Sequence, residues 1–211
     1  MTQECAPELL VLHAVRIVGF AEAPVIARRF GLDPVGTEEL LLDAEARGWV
    51  THASFAGLGG WSLTERGRAE DDRLLAAELA GVHGQDEVRE AYRAFLPLNA
   101  RLQQACTDWQ LRPTSDDRLA TNDHSDVEWD RRILDELAAI ERGLTPLAER
   151  LGALLARFQG YDTRFSAARR RAQAGEHGWV DRTDVDSCHR VWFELHEDLL
   201  ATLGIDRHAH P

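Results

Sequence analysis

Glycine and proline recur so closely between positions 19 and 60 that no long regular element fits there. Gly19, Pro24, Gly31, Pro34 and Gly48, then Gly57, Gly59 and Gly60, cut the stretch into short pieces. Proline lacks a backbone donor and glycine leaves the chain free, so both mark the ends of elements rather than their middles. Before Gly19, the residues Leu9, Leu10, Leu12, His13, Val15 and Ile17 make a first helix. Pro24 suits a first helical turn, Val25, Ile26, Ala27 and Phe30 give the second helix an apolar face, and Gly31 closes it. Asp33-Pro34 reads as an N-cap followed by proline at the first helical position, opening a third helix through Leu40, Leu41 and Ala44 to Gly48. Trp49–His52 then reads as a strand, Gly57–Gly60 as a turn and Trp61–Leu63 as the returning strand of a hairpin. From Thr64 the helical period resumes, with Leu74, Leu75 and Leu79 on one stripe.

From Gln85 onward the chain reads as helix at low contrast. Segments are expected over Val88–Leu96 and Leu98–Leu111 with Pro97 between them, then a polar loop from Arg112 to Asp123. Ser125, with Glu128 three residues on, reads as a capping box leading into Ile133, Leu134, Leu137 and Ile140. Thr145-Pro146 opens another helix, one is centred on Arg164–Ala172, and the last begins near Thr183-Asp184 and ends at Gly204. The tail from Asp206 reads as frayed. The expected fold is mainly α: residues 1–82 as three helices, a small β-hairpin and a following helix, and residues 83–211 as an all-α domain.

Charge restricts the partners. There are 24 basic against 36 acidic residues, a net charge of −12, and every basic residue is arginine. Residues 1–72 hold six arginines against twelve acids, so any phosphate contact must come from a local patch. No run of about 18 apolar residues occurs and the first residues lack a secretory pattern, so a soluble, cytoplasmic protein with no membrane partner is expected. Cys5, Cys106 and Cys188 are widely spaced and form no CxxC pair; they read as reduced thiols, and neither a metal site nor a cofactor is expected.

The segments ARRFGLDP, LLLDAEARGWV and GWSLTERGRAED resemble the winged helix of MarR-type bacterial transcription regulators over roughly residues 9–73. The resemblance implies a winged helix-turn-helix domain and a homodimer on double-stranded DNA. Its third helix would enter the major groove, its hairpin wing would touch the backbone, and a ligand would shift the spacing of the two reading heads. Arg28, Arg29, Arg66 and Arg68 are the positive cluster for phosphate, and Thr37 is the polar residue of the reading helix. The departure is that Glu38, Glu39 and Asp43 share that helix, so the reading head is acidic.

In the helical domain, Val185, Cys188, His189, Trp192, Leu195, His196, Leu199 and Leu203 fall on one stripe, which directs His189 and His196 inward. Seven residues of helix separate them by roughly 10 Å, too far to share one ion. Asn122, Asp123, His124 and Asp126 sit just ahead of a helix N-terminus. With Trp109, Trp129 and Trp192 as walls, and Tyr161 and Arg164 adding a hydroxyl and a guanidinium, they form a candidate pocket for a small anionic or carboxylate-bearing ligand. The competing reading makes each histidine a satisfied core residue. An enzyme would use His189, His196 or His124 as acid–base, oriented by Asp186 or Asp123. NDHSDVEWD and DVDSCHRVWFELHEDLL resemble, over roughly 95–203, a helical extension of phosphoenolpyruvate/pyruvate dikinase-type proteins. That resemblance implies a substrate or effector module, without DNA binding, beside a phosphotransfer enzyme. The leading expectation is a ligand-responsive transcription regulator.

Overall fold

The computed structural model describes residues 5–55 and 57–205; the tail from Asp206 lies outside the described residues. Eight α-helices, two short 3-10 turns and one two-stranded sheet make up the regular structure among them, and no helix is long and apolar enough to cross a membrane. The chain divides into two compact units. One comprises Met1–Asp86, Leu154–Arg157 and His196–Pro211, and the other Glu87–Ala153 and Phe158–Leu195.

The first unit opens with α1 (Pro7–Val18), α2 (Ala23–Phe30) and α3 (Pro34–Ala46), each beginning with proline in its first turn. Gly31 ends α2 in the left-handed conformation, and the Asp33 carboxylate caps α3 by accepting from the Gly36 amide at 2.8 Å. Strands β1 (Val50–Phe55) and β2 (Leu58–Leu63) pair antiparallel. They run longer than the sequence pattern suggests, because Gly59 and Gly60 lie inside β2. A side chain at Gly60 would meet the Phe20 ring at 2.8 Å, so glycine there serves close approach rather than the turn. Ala21 adds a bridge to Trp61, with the Trp61 amide donating to the Ala21 carbonyl at 2.8 Å. Val11, Leu12, Val15, Ile26, Leu41, Val50 and Trp61 form one buried cluster.

Helix α4 (Glu65–Gly81) starts on Thr64, whose hydroxyl accepts from the Gly67 amide at 3.0 Å and donates to the Gly48 carbonyl at 2.7 Å. A Cβ on Gly67 would stand 1.8 Å from the Trp49 carbonyl oxygen. Glycine in a helix interior ordinarily costs about 1 kcal/mol against alanine; here it is what lets the helix reach the strand.

A buried ion network completes this unit. The side chains of His13, Arg16 and Arg157 and those of Asp71, Glu78 and Asp198 are each at most 8 % exposed. His13 sits between two carboxylates, Nδ1 at 3.3 Å from Asp71 and Nε2 at 3.1 Å from Asp198. The Nδ1 contact is a hydrogen bond and the Nε2 contact an ion-pair distance, and a carboxylate on each side favours the imidazolium form. Arg157 reaches Asp198, Glu78 at 2.8 Å and the Thr202 hydroxyl at 2.8 Å. Burial opposes the charge on His13, but Asp71 and Asp198 outweigh it and hold its pKa above the ordinary value. Burial likewise opposes ionisation of Asp198, yet Arg157 and His13 bring it down to about 2.

The second unit is built on α5 (Gln85–Gln110, of which its first two residues belong to the other unit), α6 (Val127–Leu154, likewise save Leu154), α7 (Tyr161–Gln173) and the first half of α8 (Cys188–Leu203). Pro97 and Pro146 interrupt neither α5 nor α6. Each is exposed, and the residues four before, Arg93 and Arg142, are exposed too, so the carbonyl that loses its donor lies on the outer face. Both helices bury a seam with alternating spacing of three and four: Val88, Ala91, Phe95, Leu102, Ala105 and Trp109, against Asp130, Ile133, Leu137, Ile140, Leu144, Leu147 and Leu151. Half-buried Leu98 fills the gap in the first series and approaches Gly143, where a Cβ would meet it at 2.9 Å. Asp126, not Ser125, caps α6, accepting from the amides of Glu128 and Trp129. Helix α8 begins at Cys188 rather than near Thr183, capped by Ser187, whose hydroxyl accepts from the Arg190 amide at 3.1 Å.

The buried charges make stability depend on pH. His13 stabilises fully below its unfolded pKa and loses that contribution as pH rises through its raised folded value, while the carboxylates lose theirs as pH falls below about 4 toward 2. The urea midpoint should peak between about pH 4 and 6.5. His13→Gln should lower it throughout and remove the decline above pH 6.5; an unchanged alkaline slope would show that His13 is not the buried cation. Gly67→Ala should cost on the order of 1–3 kcal/mol in the same experiment, the reverse of what helix propensity dictates.

Candidate functional site

The residues with most chemistry in the second unit converge on the loop between α5 and α6. A bridge between Leu111 and Thr121 closes this loop, and the Asn122 amide donates to the Gln110 carbonyl at 2.8 Å. That places the buried Asn122 side chain at the centre. Its amide nitrogen lies 3.0 Å from the Trp109 carbonyl, 2.9 Å from Asp130 Oδ1 and 3.2 Å from His124 Nδ1. Its oxygen accepts from the His124 backbone amide at 3.1 Å, in a turn that holds His124 at φ 58°. Away from glycine such a conformation is uncommon.

His124 Nδ1 also lies 3.0 Å from Asp130 Oδ2. His177 arrives from the 3-10 turn His177–Trp179, which is held by Gln110 donating to Asp181 at 2.8 Å and by the Arg171–Glu176 pair at 2.5 Å. The rings of His124 and His177 meet edge-on with centroids 4.5 Å apart, and the Trp109 indole lies 4.6 Å from the first and 5.6 Å from the second. Donor atoms of His124, Asp130 and His177 all fall within 4.8 Å of one another. Asp130 is buried, His124 half-buried and His177 exposed, so the cluster is open on one side.

A separate cavity of about 300 Å³ lies between α5 and α6. Ala105, Ile133 and the Trp129 indole form its apolar part, and Arg101, Arg132, Asp108 and Glu136 a rim of mixed charge on which Arg101 is paired with Glu136 at 2.6 Å. The Arg132 guanidinium sits 4.8 Å from the Trp129 ring, whose Nε1 donates to the Asp108 carbonyl at 2.7 Å.

The other residues expected at a ligand site are dispersed. Asp123 is exposed and accepts from the Ser125 hydroxyl and amide, which hold its carboxyl below the usual range. Tyr161 is fully buried. Arg164 makes a bidentate pair with Asp186 and reaches Glu194 at 2.8 Å, so its fork is already engaged and Asp186 faces a guanidinium. Trp192 is a core residue, stacked on Phe95 at 4.7 Å and donating to Asn99 at 2.9 Å. His189 and His196 are half-buried, whereas Cys188, Val191, Trp192, Leu195, Asp198 and Leu199 turn fully inward. Cys188 and Cys106 are inert to nucleophilic chemistry: burial raises both thiols, Cys106 to about 12. Asp130 and His177 go unmarked by the sequence pattern; the run Asn122-Asp123-His124 was its one legible part.

On the first unit, Thr37 is 1 % exposed, so its hydroxyl does not reach the outer face of α3. That face consists of Val35, Glu38, Glu39, Leu42 and Asp43. Arg28, Arg66 and Arg68 are exposed, but Arg29 turns partly inward beside Phe30, and its charge helps hold Asp198 ionised. Comparison with protein-family models, curated proteins and solved structures gave no match to this chain.

Asn122→Ala leaves the Trp109 carbonyl and Asp130 Oδ1 without this donor. It should lower stability by about 1–3 kcal/mol, measured by thermal unfolding; no loss would mean that water replaces the amide and the loop does not depend on it.

Proposed function

We propose that the protein is a ligand-responsive transcription regulator whose first unit is a winged helix of the MarR-like type, acting as a homodimer on double-stranded DNA. The observation that carries the reading is the order of three short helices, a paired hairpin and a fourth helix, with an isolated bridge from Ala21 to Trp61 beside the hairpin. Thr64 and Gly67 give the quoted LTERGR segment a physical reason, the close docking of α4 on Trp49. Arg28 and Arg66 are exposed arginines available to phosphate, and Arg68, exposed too, lies 3.8 Å from Glu197. The effector would occupy the cavity between α5 and α6, where an indole face and the Arg132 guanidinium, with Arg101 held by Glu136, suit a flat molecule that carries a carboxylate.

A second reading has one specific observation in its favour. The outer face of α3 presents Val35 at 68 % and Leu42 at 52 % exposure among Glu38, Glu39 and Asp43. Exposed apolar residues ringed by carboxylates suit a protein partner better than a phosphate backbone. That reading makes the chain an effector module beside a dikinase-type phosphotransfer enzyme.

The separating experiment is binding to the DNA upstream of the protein's own gene at two salt concentrations. A regulator should lose affinity as salt rises. Replacing Arg28, Arg66 and Arg68 with alanine should weaken binding to all sequences and flatten the slope by roughly one unit for each phosphate no longer neutralised. Glu38→Gln with Glu39→Gln should strengthen non-specific binding. Absence of salt-dependent binding, together with a monomer by sedimentation at micromolar concentration, would discard the regulator in favour of the module.

A further inference from the structure

We propose that His124, Asp130 and His177 form a binding site for a first-row divalent transition ion of the zinc type, independent of whether the first unit meets DNA. Two imidazoles and one carboxylate are the donor set that such ions take, and hard ions such as Mg²⁺ and Ca²⁺ take oxygen instead. In a tetrahedral site with bonds of about 2.0–2.1 Å, neighbouring donors stand roughly 3.3 Å apart. His124 Nδ1 and Asp130 Oδ2 are already 3.0 Å apart, and all three donors lie within 4.8 Å. A rotation of the exposed His177 side chain is the adjustment required.

The surroundings are those of a built site. Asn122 donates to Asp130 Oδ1 at 2.9 Å, which orients the carboxylate and leaves Oδ2 for the ion. The same amide faces His124 Nδ1 at 3.2 Å. Its two hydrogens face the Trp109 carbonyl and Asp130 Oδ1, and His124 Nδ1 as well when that nitrogen carries no proton. The 3.0 Å gap between His124 Nδ1 and Asp130 Oδ2 is filled either by a proton on Nδ1, which then donates to the carboxylate, or by a cation between the two. Three protein donors with an open side leave a coordination position for water or a ligand, the pattern of a site that exchanges ligands rather than of a closed structural one. Trp109, tilted against the His124 ring and edge-on to that of His177, shields the inner side.

The test is titration of metal-free, full-length protein with Zn²⁺ against a chromophoric chelator, and with Co²⁺ read by its visible absorption. One equivalent should bind tightly, Co²⁺ should give an intense low-coordinate band, and Zn²⁺ should raise the thermal midpoint. His177→Ala, at an exposed position that leaves the fold alone, should weaken Zn²⁺ by at least about tenfold and abolish both the band and the thermal shift. Asp130→Asn, close in shape, should do the same. A control lacking His208 and His210, in the terminal tail, should bind as the parent does. Zn²⁺ binding unaffected by His177→Ala, binding lost with the tail histidines, or no stoichiometric binding at all would overturn the site and leave a hydrogen-bonded His124–Asp130 pair.

Discussion

The first unit depends on the charges packed around His13. Three cations and three carboxylates meet there nearly without water, and they come from α1, α4, the residues at 157 and the second half of α8. Such a set is tolerable only when complete, because removing one partner leaves a buried charge that costs several kcal/mol. Helices separated by more than a hundred residues of sequence must therefore assemble together. The network is a weak source of net stability and a strong source of specificity: an apolar core tolerates slippage, whereas His13 has two carboxylates at fixed positions to satisfy. It also explains why His13, on an otherwise apolar helix face, is fully buried.

What was legible in the sequence is what is decided locally. Pro34 after Asp33, Gly31 and the pause at Gly19 fix helix ends within a few residues, and the structure has them there. Where local signals compete, tertiary context decides. Ser125 and Asp126 are both good caps; Ser125 is taken by Asp123, so Asp126 accepts the free amides of α6. Pro97 and Pro146 read as breaks because proline ordinarily removes an inner hydrogen bond, but on an outer face the cost is small against a seam of six or seven buried residues on either helix. That three–four spacing was present in the sequence, diluted by alanine and by polar residues such as Asp130.

The sites were less legible, for a reason that is physical. A histidine's role is set by the two groups its nitrogens face, and these are seldom sequence neighbours. His189 and His196 share the apolar stripe of α8 yet lie at its half-buried margin, while His13 and His124, unremarkable by spacing, face carboxylates. His177 stands in a short turn with no periodicity to place it. Arg164 was a fair candidate for an anion, but the structure supplies two carboxylates of its own.

Net charge bears on the proposed function less than its size suggests. At physiological salt the Debye length is about 8 Å, so a phosphate at the face of α3 feels the side chains within that radius and little of the total of −12. The contest is between Glu38, Glu39 and Asp43 on that helix and the exposed Arg28, Arg66 and Arg68 of the same unit. Arginine has the advantage of bidentate bonds to phosphate, but carboxylates in a major groove find donors among base edges only in the exocyclic amino groups of cytosine and adenine. A reading helix with this face would bind DNA weakly without specific contacts to those amino groups, or would have its acids engaged elsewhere. The same face, with Val35 and Leu42 exposed, already has the composition of a protein interface. Which of the two prevails is thus decided by three carboxylates on two turns of one helix, and not by the fold that carries them.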